Sequence, residues 1–267
     1  MKQALLSILL AAAVVPAHAQ VAPEADADAD APPAARRALG VGVAVSDSPY
    51  AGEGNRVTPF PLLVYEGERF FFRGITAGWR LVEGERFGLA AIAQLRLDGF
   101  EVADLGRVEL ARNGLDPLLL EDRDDGLDAG LSARWSGNAG ELELELLADA
   151  SGASGGQEAS LRYSHPWQLG STQVTPHAGV RWMSAGMADY YYGTLDEEVA
   201  RGAPRYRPGA VAIPHAGVTV ARGLGRQWSA FASLDYQRLP GAVQDSPWLE
   251  PDRTGSVSLL LGLSRGF

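Results

Sequence analysis

The chain has 267 residues, no cysteine and a formal net charge of −10 at pH 7. The acidic balance argues against nucleic-acid binding, which needs a basic face, and the absence of cysteine excludes disulfides and a lipidated cysteine anchor. Residues 1–19 are predicted to be a signal peptide, because an apolar run leads to the small-x-small cleavage site Ala17-His18-Ala19. Residues 20–37, rich in Ala, Asp and Pro, are predicted to be a disordered linker.

Residues 38–267 are predicted to form one all-β domain, because segment after segment alternates apolar and polar residues in period two. The final segment, 256–267, has Val and Leu on one face and mostly Ser and Gly on the other, with Leu260 as the bulky exception. A last strand that is apolar outside, small and polar inside, and ends in Phe is typical of an antiparallel transmembrane β-barrel of the bacterial outer membrane. Phe267 is therefore predicted to be the barrel sorting residue. The last strand should pair with a strand near 39–46, because an unpaired edge in lipid leaves backbone polar groups unsatisfied.

The connections alternate in length, as in such barrels. Short turns fall near 66–68, 83–85, 137–140, 170–171 and 223–226, and longer loops near 47–56, 99–125, 185–208 and 240–253. Eleven segments have strand character, and bacterial barrels have an even number of strands. We predict twelve strands, with ten as the alternative, and place the missing strand within 99–125, at Leu105 to Ala111.

Two short motifs resemble functional sites without the context that the chemistry needs. Residues 152–156 (Gly-Ala-Ser-Gly-Gly) match the G-x-S-x-G of serine hydrolases, but that Ser belongs on a strand-to-helix turn and here it lies in a hairpin loop. Residues 122–126 have the charge of a calcium loop with the wrong spacing, so we interpret them as a solvated outer loop.

The histidines give a weak catalytic signal. His177 and His215 both fall on the inward face, where they could meet Asp235 or Glu158. An inward His in a polar lumen is more often part of a hydrogen-bond network than a general base. The sequence therefore predicts no catalytic residue, no metal and no cofactor.

Three loop motifs are more distinctive, because each combines an aromatic residue with Pro, Ser or Asp. They are interpreted either as part of an interfacial aromatic belt or as a contact patch for a ligand or protein. The candidate contact residues are Ser48, Pro49, Tyr50, Asp189, Tyr190, Tyr191, Tyr192, Gly193, Asp245, Ser246 and Pro247.

Taken together and in order, these motifs resemble the MipA/OmpV family of outer-membrane proteins. The collinear matches run through residues 40–43, 48–50, 59–61, 65–67, 72–74, 174–176, 179–182, 189–193, 206–209 and 245–247. The end of the chain departs from the family pattern, since Gly266 precedes Phe267 where the family often has a basic residue, and Thr194 follows the tyrosine motif where the family favours a small aliphatic residue.

The resemblance implies an outer-membrane location and a non-enzymatic scaffold for murein synthesis. It also implies outer-membrane lipid, a lytic transglycosylase and a penicillin-binding protein as partners, and it carries over no catalytic residue. Two alternatives remain at the sequence level. One is a channel for small solutes, and the other is a barrel-embedded lipid or glycan hydrolase that uses Ser154 or an inward Ser with His177 or His215.

Overall fold

The computed structural model describes residues 36–267, which form a closed antiparallel barrel of twelve wall strands. The last strand pairs with the first, in register from Leu39 opposite Arg265 to Ser46 opposite Ser258, as the alternation predicted. The predicted signal peptide and residues 20–35 of the predicted linker lie outside the described residues. The strand segments are β1 (Arg36–Asp47), β2 (Asn55–Glu66), β3 (Phe70–Arg73), β4 (Thr76–Glu83), β5 (Phe87–Arg96), β6 (Gly126–Gly137), β7 (Gly140–Asp149), β8 (Gln157–Ser164), β9 (Trp167–Leu169), β10 (Thr172–Met183), β11 (Val211–Gly223), β12 (Trp228–Arg238) and β13 (Gly255–Gly266).

Thirteen segments make twelve wall strands because β8 and β9 are two parts of one strand. Both pair with β10, and they are separated only by His165 and Pro166. Proline has no backbone N–H to donate to the ladder, so the pairing is interrupted there and resumes at Trp167.

The predicted number of twelve strands is confirmed, but the predicted place of the missing strand was wrong. Residues Arg107–Arg112 form the short helix α1 in an outer loop. The additional strand arises instead because 69–81, read as one strand from the sequence, folds into the β3–β4 hairpin. Its two-residue turn is Gly74-Ile75, and Gly74 has φ 59°, which a residue with a Cβ adopts only at a cost.

The two faces of the wall differ as the alternation indicates. The outward face exposes Leu, Val, Trp and Tyr side chains, among them Leu131, Leu234 and Trp182. Arg265, the outward residue nearest the end of the last strand, is also exposed and lies beside the Phe267 ring.

The inward face is mostly polar, but four apolar residues from the adjacent strands β12, β13, β1 and β2 pack together on one side of the lumen. Leu260, the exception in the last strand, is buried against Ala44, Leu62 and Phe231. We call these four residues the lumen plug. Leu62 and Phe231 lie in the halves of β2 and β12 that are nearer the short turns, and Ala44 lies in the half of β1 that is nearer the long loops, so the plug spans the middle of the barrel.

The two ends of the barrel are unequal. At the turn end, the connections are 67–69, 84–86, 138–139, 170–171 and 224–227. At the loop end, the longer connections 48–54, 97–125, 150–156, 184–210 and 239–254 contain α1, α2 (Ala185–Tyr192), α3 (Asp196–Ala200) and α4 (Gly241–Gln244). Within residues 36–267, none of the helices combines the length and apolar character needed to cross a membrane.

Candidate functional site

The lumen contains a chamber of about 240 Å³, and Ala44 of the lumen plug is among its lining residues. Its walls are inward side chains of the strands, and Tyr50 and Tyr192 from the outer loops contribute to its lining. The chamber is therefore bounded by the barrel wall and by the loops above it.

The most buried charges of the wall surround Arg96, at the loop end of β5. Its guanidinium contacts Asp128 (Nη2 to Oδ2, 2.5 Å), Glu158 (Nη2 to Oε2, 2.9 Å) and Asp98 (Nη1 to Oδ2, 2.9 Å). Arg181 adds a second cation, 3.7 Å from Asp98. These groups come from β5, β6, β8 and β10, so the network ties together strands that are not all neighbours. Charges buried this deeply are tolerated because each has a partner of opposite sign.

A second set of interior ion pairs fills other sectors of the lumen. Arg162 on β8 bonds to Glu143 on β7, and both Arg73 and Arg80 bond to Glu66. Because these long side chains are held by partners on nearby strands, they occupy lumen space and do not extend into free solvent.

One of the inward histidines contacts an acid that the sequence analysis considered. His177 Nε2 lies 2.5 Å from Asp235 Oδ1, and Ser233 donates to the other carboxylate oxygen of Asp235 at 2.8 Å. The ring of His215 lies 6.5 Å from that of His177. Because the Ser233 hydroxyl donates to the carboxylate and not to an imidazole, this arrangement does not place a base on a nucleophile.

Ser154, the other candidate nucleophile, lies in the outer loop after β7. Its hydroxyl bonds to Asp149, and the Asp149 carboxylate also accepts from the backbone N–H groups of Gly152, Ser154 and Gly155. The Gly-rich motif therefore wraps around a carboxylate, which explains its small residues without any catalytic role. Among residues 36–267, no cluster of three His, Asp or Glu side chains is arranged to hold a metal ion.

The three loop motifs, far apart in sequence, come together above the chamber. Tyr50 stacks on Tyr192 with ring centroids 6.2 Å apart, and its hydroxyl donates to the Tyr191 carbonyl at 3.3 Å. Ser246 donates to the Tyr192 carbonyl at 2.6 Å. Burial raises the pKa of Tyr50, Tyr191 and Tyr192. We call this packed layer the loop cap; its buried members are Tyr50, Ala51, Phe100, Leu105, Leu110, Leu115, Met183, Met187, Ala188, Tyr191, Tyr192, Val211, Ile213, Leu239, Val243, Trp248 and Leu249.

The other candidate contact residues frame the loop cap. The Asp189 carboxylate accepts from the Gly209 N–H at 2.9 Å, and the Gly193 carbonyl accepts from Trp248 Nε1 at 2.8 Å. The Tyr190 hydroxyl accepts from the Asp124 N–H at 2.8 Å. Ser48 is buried, Pro49 and Pro247 are half-buried, and Asp245 is exposed. A role of these residues in binding a partner stays a prediction, and little of the tyrosine surface is available for it.

Arg123 is the central cation of the loop cap, and the sequence reading missed it. The run 122–126 was interpreted as solvated, and its three aspartates are exposed, but Arg123 is only 2% exposed. It forms a bidentate ion pair with Glu198 at 2.9 and 3.0 Å, and its guanidinium lies 4.7 Å from the Trp248 ring centroid. The flanking aspartates hid this residue, since a charge run is usually a solvated segment.

Comparison with known proteins identifies the family to which this barrel belongs. The family model described as "MltA-interacting protein MipA" matches residues 39–267. The chain belongs to the MltA-interacting protein MipA family. The match covers the whole barrel from β1 to the last residue, so the family assignment rests on the strands and on the loop cap together. The resemblance stated from the motifs is thereby confirmed.

Individual relatives agree with this assignment. The chain is 31% identical over 221 residues to the MltA-interacting protein of Escherichia coli strain K12, covering 82% of this chain and 86% of the relative. It is 29% identical over 235 residues to the putative outer membrane protein YiaT of Escherichia coli O157:H7, covering 88% and 92%. The protein is an outer-membrane β-barrel. Among solved structures, an outer-membrane channel from Pseudomonas putida F1 gives a TM-score of 0.43 at 13% identity, over 91% of this chain and 100% of that chain.

Proposed function

We propose that this protein is a non-enzymatic scaffold in the outer membrane that positions enzymes of murein synthesis and remodelling. A lytic transglycosylase is the proposed direct partner, and a penicillin-binding protein is the proposed second partner. The observation that carries the proposal is the match of the whole barrel to a family described as MltA-interacting, with a relative of that name at 31% identity. The packed loop cap is compatible with the scaffold, because a membrane anchor does not need an open lumen.

The turn end is the surface that we assign to these partners. Outer-membrane barrels direct their short turns toward the periplasm, where murein lies. At this end, Arg222 and Arg226 flank the turn between β11 and β12, and Arg265 lies opposite Trp228 on the adjacent β13. All three arginines are exposed. A group of exposed cations favours and steers association with an acidic partner surface.

Direct binding tests the scaffold. The purified barrel in a nanodisc is immobilised, and a soluble lytic transglycosylase without its membrane anchor is passed over it. Reversal of two charges in Arg222→Glu with Arg226→Glu should weaken binding by about tenfold or more, mainly through slower association. Arg238→Glu is the matched control, because Arg238 is exposed at the loop end of β12, the strand that follows this turn. No binding by the unmodified barrel, or equal weakening by Arg238→Glu, would refute the assignment.

A channel is the second candidate, because the lumen does contain a chamber of about 240 Å³. The loop cap lies above this chamber and the lumen plug occupies part of the lumen, so we expect conduction to require both to give way. Planar-bilayer conductance distinguishes the two functions, since the scaffold needs no current through the barrel.

A further inference from the structure

The barrel wall is incomplete beside the upper half of β2. The neighbouring β3 has four residues and pairs only with Val64–Glu66 of β2 before the chain turns back at Gly74. Within the described residues 36–267, positions 57–62 of β2 pair with β1 alone. Six residues at about 3.3 Å each, tilted by roughly 40°, leave an opening about 15 Å high. We call this opening the lateral gap.

The backbone of β2 is adapted to this open edge. The Leu63 carbonyl accepts from the Gly74 N–H on the β3 side at 2.9 Å, and alternate residues of a strand direct their polar groups to the same side. Val57, Pro59 and Pro61 therefore direct their backbones into the lateral gap. Two of these three positions are prolines, which have no N–H to leave unsatisfied in lipid and none to offer to another strand. The edge thus disfavours an added β-strand and exposes fewer unpaired N–H groups to lipid than an edge without prolines.

The lateral gap leads into the chamber. The residues around it are Arg56 on β2, Arg73 and Thr76 on the β3–β4 hairpin, and Gln94 and Leu97 at the top of β5, and all five line the chamber. The upper corner is closed where Arg56 Nη1 approaches the Gly99 carbonyl at 3.4 Å. The lateral gap therefore adjoins the chamber on the side of the membrane, while the loop cap closes the route from above.

The chamber offers both an apolar wall and an unused hydrogen-bond acceptor. Phe71, Ile92 and Leu97 line it near the lateral gap. His177 is 6% exposed, its Nδ1 has no hydrogen-bond partner, and Nε2 of the half-buried His215 has none either. His177 Nε2 faces the Asp235 carboxylate at 2.5 Å, and in the tautomer that carries its proton on Nε2 the ring has a lone pair on Nδ1.

We propose that the chamber is a binding site for a small amphiphile that enters from the outer leaflet through the lateral gap. The polar end of the ligand donates a hydrogen bond, as an alcohol or amide does, to Nδ1 of His177. Its apolar part lies along Phe71, Ile92 and Leu97.

Thiol labelling in proteoliposomes tests the entry route, since the natural chain has no cysteine. Gln94→Cys reports on the chamber, and Leu95→Cys on the adjacent lipid face, where Leu95 is exposed. A lipid-soluble maleimide should modify both positions. A charged, membrane-impermeant reagent should modify position 94 at a rate at least about tenfold lower than the lipid-soluble one, because the loop cap excludes water-borne solutes.

A second variant closes the lateral gap. Six residues inserted after Arg73 and six before Thr76 lengthen the hairpin along the open stretch of β2 without changing which side chains face inward, and Pro59→Thr with Pro61→Thr restore the donors of β2. Labelling at position 94 should then slow by about tenfold or more, while labelling at position 95 persists. Unchanged labelling at position 94, or equal rates with the two reagents, would overturn the lateral route.

A photoreactive octanol tests the ligand chemistry. It should cross-link to the segment containing Ile92 and Leu97. Labelling should fall about three- to tenfold in His177→Phe, the value of one net hydrogen bond, but not in the control His165→Phe at the turn end. The methyl ether of the same probe, which cannot donate, should label about as weakly as octanol labels His177→Phe. Heat-modifiable migration checks that each variant folds. Equal labelling by alcohol and ether in all folded variants would refute recognition by histidine.

Discussion

Removal of Arg123 should open the loop cap without unfolding the barrel. Arg123 forms two hydrogen bonds with Glu198, at 2.9 and 3.0 Å, and also donates to the carbonyls of Glu121, Tyr190 and Gly193. Both ion-pair side chains have an exposed fraction of 0%. Arg123→Ala therefore leaves a buried carboxylate without its cation, which costs about 3–5 kcal/mol. At about 1.4 kcal/mol per factor of ten, the open fraction of the loop cap should rise roughly 100- to 4,000-fold.

Hydrogen exchange of the amides around Trp248 measures this opening, because exchange at equilibrium follows the open population. The control is Arg201→Ala, which removes a half-exposed ion pair to Glu121 (2.7 Å) in the same loops and should change protection by only about fivefold or less. Arg123→Met combined with Glu198→Gln should be less destabilising than Arg123→Ala, since no buried charge is left unpaired. If Arg123→Ala loses no more protection than Arg201→Ala, the ion pair does not hold the loop cap together.

Three further predictions concern the loop cap, the lumen plug and the short hairpin. Burial raises the pKa of Tyr50, Tyr191 and Tyr192. The protonated tyrosines therefore contribute fully to the stability of the loop cap below the unfolded tyrosine pKa of about 10. This contribution is lost as the pH rises through the folded pKa values. The backbone amides of the loop cap should accordingly lose their protection from hydrogen exchange only at alkaline pH. The loss should occur over the same pH range in which ultraviolet absorbance shows the tyrosines ionising. Leu260→Ala should lower the free energy of unfolding in urea by about 2–5 kcal/mol, because it leaves a cavity in the lumen plug. Gly74→Val should cost about 1 kcal/mol or more in the same assay, because it forces a β-branched residue to φ 59°.

The strands that the sequence predicted well are those whose neighbours are fixed by local alternation. The last strand is the best case, since an apolar outer face and a small inner face leave one possible register relative to lipid. Its exception, Leu260, could not be explained in advance, because its partners come from β1, β2 and β12. The β3–β4 hairpin was missed because Phe70, Phe71 and Phe72 in succession mask the period of two. Gly74 was the available signal, as a hairpin turn that needs positive φ usually has Gly.

The loop cap was beyond sequence reasoning for a different reason. Tyr50, Tyr192 and Ser246 could be recognised as distinctive, but each contact joins segments more than fifty residues apart, and no local pattern encodes such distances. Tyrosine is common both at interfaces and in packed cores where its hydroxyl has a hydrogen-bond partner. Burial decides between these cases, and burial is a property of the assembled loops.

Whether the loop cap and the lumen plug must both be removed for conduction decides between an anchor and a channel. The loop cap closes the chamber on one side, and Phe231 and Leu260 of the lumen plug occupy part of the lumen. If the barriers act in series, the unmodified barrel should not conduct in a planar bilayer, and neither Arg123→Ala alone nor Phe231→Ala with Leu260→Ala alone should conduct. Only the combination of all three substitutions should give single-channel steps. Steady conductance in the unmodified barrel, or in Arg123→Ala alone, would mean that the lumen plug is permeable and would favour the channel over the scaffold.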